Sequence, residues 1–388
     1  MKLLAFLVSA ISIVLGCDVN NVTEDGSHLD PYDSTGLRIA DYLLSQQNAD
    51  GAIPDAPGAG SVNTDSNMEY ALMGLAAAYD KTGDARYLTG LESGIRWLAA
   101  REEMADTNWR GSWAYAYSAS APYAPLMTSP GDPEILDVRG VDATSALFVH
   151  LLYLHRDVSN TPALAQEFEP HARAALSFLR DHNRSADGFY YSSWQLHASD
   201  STWQLWPFRY SADQGDVYLG YSAGYQLYGD AEYLSAVQTI ATALDPAFYN
   251  SSSERFAVGI YDDLSQENPS EGFAIIFPQG YLPWVFGTTT ATVAAREWLA
   301  GCIQSDGSLS CYAGDPRFSM SVAVYALACA ATNAPRPTAS LDWLIANTFD
   351  DADGGVRDDF GVASPKFPNV AGFTAMAMLN YMASPPIP

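Results

Sequence analysis

Six times along the chain, a helix with one charged face is followed, after a long connection, by a helix that is apolar nearly all round. Helical periodicity places the first kind at 34–47, 84–100, 163–182, 230–244, 288–302 and 338–348. It places the second kind at 65–81, 141–156, 213–228, 271–284, 318–332 and 368–382, the fourth of them interrupted by Pro278 and Pro283. Ala71-Leu72-Met73-Gly74-Leu75-Ala76-Ala77-Ala78-Tyr79 typifies the second kind, and a helix with no polar face is buried on every side. Arg86, Glu92 and Arg96 beside Trp97 typify the first, which needs solvent along one stripe. The economical arrangement is an inner ring of buried helices inside an outer ring.

The connections carry the same asymmetry. From inner to outer helix they are short: Thr82-Gly83-Asp84-Ala85-Arg86-Tyr87-Leu88 is echoed by Tyr228-Gly229-Asp230-Ala231-Glu232-Tyr233-Leu234. In each, glycine is expected to end one helix in the left-handed conformation and aspartate to cap the next. From outer to inner helix they are long, and four begin with an Asp-Gly turn: Asp50-Gly51, Asp187-Gly188, Asp306-Gly307 and Asp353-Gly354. All long links therefore leave the ring at one end, beside the N-termini of the inner helices. Loops held by a rigid scaffold are where function concentrates.

This architecture resembles the six-hairpin toroids, the (α/α)6 barrels of many glycoside hydrolases and polysaccharide lyases. The resemblance covers about residues 34–384 and rests on hairpin order rather than on a family-defining motif. The Asp-Gly turns are also similar to the repeats of terpene cyclases and prenyltransferase β-subunits, but the cyclase order Asp-x-Asp-Asp is absent. A tetratricopeptide array has a period of about 34 residues, too short for the hairpins here. The resemblance implies an all-α toroid whose long-loop end works on an oligosaccharide or polysaccharide.

Met1-Lys2 precedes an apolar run from Leu3 to Leu15, shorter than the about 20 residues that span a bilayer. Val14-Leu15-Gly16-Cys17 resembles the bacterial lipobox, which implies cleavage before Cys17 and acylation of its thiol and new amine. The expected organisation is a signal peptide over 1–16, a flexible tether over 17–33 and a single toroid over 34–388, exported and held to an envelope membrane by lipid. A hydrophobic content of 48% with 16% charged residues fits a large core. A net charge of −26, with three lysines against sixteen arginines, argues against nucleic acid as a partner. Cys302 and Cys311 bracket a turn and form a plausible disulfide in an exported chain. With no C-x-x-C, H-E-x-x-H or histidine cluster, neither metal nor cofactor is expected; Asp350-Asp351-Ala352-Asp353 lacks EF-hand spacing and reads as a solvated turn.

Acids gather where the long links enter the inner helices. Hydrolysis of a glycosidic bond needs two carboxylates facing one cleft, one protonated and one ionised. The candidates are Asp216, Asp213, Asp142 and Glu69. Asp65, Asp142 and Asp213 are equally readable as helix caps, whereas Asp216 lies past the cap position. The third long link is dense in aromatic rings, and Trp203, Trp206 and Tyr210 are the expected sugar platform, with Arg209, His197 and Asp65 as polar contacts. Two alternatives stand beside a hydrolase. One is a polysaccharide lyase using Tyr210 or His197 with Arg209 neutralising a uronate; the other is a non-catalytic lipoprotein that binds glycan or scaffolds an assembly.

Overall fold

The computed structural model describes residues 29–361 and 363–382; the signal segment and Cys17 lie outside them. Numbered along the chain, the inner helices are α2 (Asn67–Thr82), α4 (Asp142–Ser159), α7 (Ser211–Tyr228), α9 (Phe277–Phe286), α11 (Ser319–Ala331) and α13 (Pro368–Met378). Each packs on the next, and α13 returns to α2, so the ring closes. The outer helices are α1 (Pro31–Gln46), α3 (Ala85–Ala99), the broken pair α5 (Ala163–Glu167) and α6 (Glu169–Phe178), α8 (Ala231–Phe248), α10 (Thr290–Gly301) and α12 (Thr338–Asn347). Most straddle two inner helices: α1 touches α13 and α2, α3 touches α2 and α4, and α6 touches α4 and α7. The chain is an all-α toroid of helical hairpins.

Small residues let the inner helices approach. Where α13 crosses α2, a Cβ on Gly372 would lie 2.1 Å from the Tyr70 carbonyl oxygen, so backbone meets backbone there. The Asp-Gly turns have a separate task. Gly354, with φ of +80°, presses its Cα against α1, where a Cβ would stand 2.5 Å from the Arg38 carbonyl oxygen. Gly51 does the same against Ser93 of α3. Each turn thus locks one outer helix to the next, and the sequence repeats it because the ring repeats the contact.

Several boundaries differ from expectation for local reasons. The segment over 163–182 is split at Phe168, ahead of Pro170 in the first turn of α6, and ends in a π-helical turn at Leu179–Asn183. The helix expected from 271 begins at Phe277, because Gly272 at φ 103° and a 3-10 turn at Phe273–Ile275 precede it and Pro278 suits only a helix's first turn. The first helix starts at Pro31, inside the segment expected to be tether: the Asp30 carboxylate accepts from the Asp33 N–H at 2.7 Å and Pro31 opens the helix. Gly83 and Gly229 do end their helices at positive φ, and Asp84 caps α3. Asp230 stands at the N-cap position of α8 but makes no side-chain cap hydrogen bond, its carboxylate pairing with Arg173 instead.

At the long-loop end the links are stitched to one another by short antiparallel strands. β1 (Ser61–Asn63) of the first link pairs with β2 (Ala116–Ser118) of the second, which also pairs with β3 (Pro125–Leu126). β4 (Ile135–Arg139) pairs with β5 (Trp194–His197) of the third link, and β5 with β6 (Trp203–Leu205). β7 (Phe208–Tyr210) pairs with Gly259–Tyr261 of the fourth. The rim is thereby built into a wall.

Two further sequence features have structural outcomes. Asp350 and Asp353 are taken up by Lys366, with Arg357 also on Asp350 and Arg38 on Asp351. Cys302 and Cys311 are brought together as free thiols in hydrogen-bond contact, an interaction that draws the Cys302 thiol below its ordinary range.

Candidate functional site: an acid cavity at the long-loop end

The first turns of α2, α4 and α7 converge at this end, and the local chain holds them in register. The Thr144 hydroxyl in α4 donates to the Thr64 carbonyl ahead of α2, and the Asp142 N–H donates to the Ser192 carbonyl at 3.0 Å. The Ser192 hydroxyl in turn donates to Asp213 of α7 at 2.6 Å. Ser192 therefore ties α4 to α7 while its side chain orients an acid.

Beside these turns lies a cavity of about 500 Å³. Asp65 and Asp213 face it, together with Tyr115, Trp206, Tyr210 and Gln195. Neither acid is a helix cap. Asp65 precedes Ser66, which occupies the N-cap position of α2 at φ 62°, and α7 begins two residues before Asp213. Burial raises the Asp65 carboxyl, and a hydrogen bond from the Tyr115 hydroxyl partly offsets this. Burial raises Asp213 to about 7, opposed by Ser192 and reinforced by the charge of Asp65. A carboxyl poised near neutrality is the requirement for proton transfer at physiological pH.

Asp142, Asp216 and Glu69 lie beneath this pair, all within 2% of complete burial and outside the cavity lining. Asp216 accepts from the Tyr70 hydroxyl at 2.8 Å and from the Tyr281 hydroxyl. Among the described residues, Asp142 takes one hydrogen bond, from the Ala143 N–H at 2.8 Å, and its second oxygen and both Glu69 oxygens take none. Burial pushes all three carboxyls well up, and the neighbouring acids push further: Asp213 on Asp216 and Asp142, Asp65 on Glu69. Among the described residues no lysine or arginine lines the cavity to offset them. Like charges in one desolvated pocket cannot all ionise, so the deep acids hold their protons.

The aromatic link divides by strand alternation. Residues along a strand face opposite sides in turn, and Gln195 and Val138 look into the cavity. Trp194 and Trp203 therefore face away, where both pack edge-on against Trp109 with ring centres 5.9 and 5.1 Å apart. Arg139 stacks over Trp109 on the same side. Trp203 belongs to this outer cluster and does not reach the cavity. His197 pairs with the lining residue Ile135 but is not itself among the lining residues. On β7, Tyr210 faces the cavity and Arg209 faces away, held by Asp187 at 2.5 Å and stacked over Tyr191. The cation that a lyase needs for a uronate is thus committed elsewhere.

Sequence reasoning did not single out Ser192, Tyr70 and Tyr281. Tyr115 carries only the general aromatic signal of its link; the other three touch the acids from distant parts of the chain.

No family model matches the chain, and no curated protein matches it in sequence. Solved structures do match. Cellobiose 2-epimerase from Spirochaeta thermophila superposes with a TM-score of 0.65 at 13% identity, covering 90% of this chain and 96% of that one. Unsaturated glucuronyl hydrolase from Bacillus sp. GL1 gives 0.64 at 12% identity, covering 90% and 95%. A wild-type glycosidase gives 0.59 at 12% identity, covering 92% and 100%. At such identities the likeness is one of fold, and it defines the chain as an (α/α)6 toroid.

The raised carboxyls set a pH dependence. Their folded pKa values exceed those of the unfolded chain, so the folded state keeps protons that the unfolded state releases. Their contribution to stability is then fully present below about pH 4, and the share of Asp213 is lost as pH rises through about 7, where it titrates. Asp213→Asn is expected to flatten that fall and to raise stability at pH 8 by about 1–2 kcal/mol. Urea unfolding at pH 5 and pH 8 checks it; a variant less stable than the parent at pH 8 contradicts it.

Proposed function

We propose that this chain is a carbohydrate-active enzyme of the glycoside hydrolase type, working in the acid cavity at the long-loop end. The observation that carries the reading is that Asp65, from the turn before α2, and Asp213, from the first turn of α7, face one cavity, with Asp213 held near pH 7. The proteins with similar folds include, by name, an epimerase of a disaccharide and a glucuronyl hydrolase, which supports a sugar substrate.

Asp213 is the general acid. It carries its proton below about pH 7 and delivers it to the leaving glycosidic oxygen, with Ser192 fixing its orientation. Asp65, held by Tyr115, is the ionised partner that activates water or attacks the sugar carbon. The deep acids stay neutral, which keeps the field under Asp65 from forcing it to protonate. Trp206 and Tyr210 offer ring faces and edges to the apolar C–H surface of a pyranose. A lyase finds no support, because Arg209 is turned away and neutralised.

Asp213→Asn and Asp65→Asn are each expected to lower reducing-end release from the best glycan of a panel by about 10²–10⁴-fold. In the parent, kcat/KM falls as pH rises through about 7, and this limb disappears in Asp213→Asn. Binding of a glycan with no product released at any pH sinks the hydrolase reading and leaves a binding protein. Full turnover by Asp213→Asn removes that residue from the chemistry.

We also propose that the enzyme works at the cell envelope, anchored by lipid on Cys17, because Val14-Leu15-Gly16-Cys17 follows a signal-length apolar run. Among the described residues no helix is long and apolar enough to cross a membrane. In a bacterial host, labelled palmitate is expected to enter the parent and not Cys17→Ser, and the parent alone should sediment with membranes. Equal labelling of both rules the anchor out.

A further inference from the structure

The long-loop end holds a second cavity, of about 350 Å³, on the other side of the first turn of α2. One backbone step separates the two: Asp65 and Ser66 line the first, and Asn67 lines the second. Ser66 makes that step at φ 62°, a left-handed conformation that a serine adopts only under constraint. The chain is bent here so that consecutive side chains serve opposite sides of a low saddle.

The second cavity has the composition of a sugar site. Phe273, Phe318 and Phe367 line it, the first two packed edge-on with ring centres 5.3 Å apart. Phe273 lies in the 3-10 turn before α9, and Phe318 and Phe367 stand immediately before α11 and α13, so these three rings come from hairpins that contribute nothing to the acid cavity. Its polar side is an ordered chain: the Asn369 amide donates to Asn67 at 2.7 Å, and the Asn67 amide donates to Asp55 at 2.8 Å. Asp358 completes it. Its backbone is pinned by a hydrogen bond from the Ser319 N–H and one to the Pro365 carbonyl, both 2.8 Å. Burial raises its carboxyl to about 6, with Asp359 adding to the effect.

Apolar rings beside fixed acceptors match a pyranose, whose C–H faces stack and whose hydroxyls donate. Among the described residues no lysine or arginine lines either cavity. A sugar carboxylate would enter walls that already carry Asp55, Asp65, Asp213 and Asp358, and would find no counter-charge. A neutral hydroxyl or an ammonium meets no such penalty.

We propose that the cavity bounded by Phe273, Phe318, Phe367 and Asp358 is a second sugar-binding subsite, continuous across Ser66 with the acid cavity, and that the substrate is an oligosaccharide of neutral or amino sugars. This rests on the reading of the acid cavity as a sugar site. The substrate spans the saddle, one unit against Trp206 and Tyr210 and the next against the phenylalanines.

The test is binding of the full protein to an array of neutral, amino-sugar and uronate glycans of one to six units, followed by calorimetry with the best series. Affinity is expected to rise at least tenfold from one unit to two or three, with uronates the weakest class. Phe318→Ala and Asp358→Asn should each bring the longer glycan to within threefold of the single sugar. If Phe318→Ala does not fold, Asp358→Asn, at a partly exposed loop, decides. No gain with length, a gain retained in folded Asp358→Asn, or uronates bound as tightly as neutral glycans overturns the proposal. A single sugar whose binding is lost in Asp213→Asn, with no gain from length, sinks the second subsite alone. No glycan bound at all sinks both readings.

Discussion

The structure turns on the desolvation of five carboxylates where three inner helices meet. Closing a ring of helices that are apolar on all sides forces their first turns together at one end, and α2, α4 and α7 bring Asp65, Glu69, Asp142, Asp213 and Asp216 with them. Water cannot solvate the lower members, and among the described residues no lysine or arginine lines the cavity above them. The remaining solution is protonation, helped at Asp216 by hydroxyls from Tyr70 and Tyr281. Such an arrangement is costly to stability at neutral pH. Its benefit is a carboxyl at the cavity wall that titrates where proton transfer is useful.

The rest of the fold serves to keep that geometry fixed. Outer helices are locked to one another through the turns at Gly51 and Gly354, and the long links are laced by β1 to β7 into a wall around the mouth. Ser192 shows how close the coupling is: its backbone takes the N–H of Asp142 and its side chain orients Asp213. A loop position thereby controls both helices and the carboxyl at the cavity wall.

Much of this is legible in the sequence, and the part that is not has a physical reason. Helices buried on every side and helices buried on one side leave different patterns, so the hairpin order and the working end can be read directly. The start of α9 cannot, because Gly272, Pro278 and Pro283 erase the period there. Face can be read from spacing, but depth cannot. Asp213 and Asp216 share a helix face, yet three residues carry Asp216 about 4.5 Å further along the axis, from the cavity wall into the core. Asp65, in the turn before α2, and Glu69, inside its first turn, are divided in the same way. Trp203 and Trp206 look alike in a loop, and only the strand pairing shows that the first faces Trp109 and the second the cavity. Arg209 and Tyr210 are divided by the same alternation.

The central claim is that the toroid holds Asp213 half-protonated near neutrality while deeper acids stay neutral beneath it. Carbon-13 NMR of the aspartate side-chain carboxyls, followed from pH 4 to pH 9, tests this most directly. The account predicts one carboxyl resonance titrating near 7 that vanishes in Asp213→Asn, and further aspartate resonances titrating well above the ordinary carboxylate range. If every aspartate carboxyl titrates below pH 5, the cavity is solvated, and the acid–base mechanism built on it does not stand.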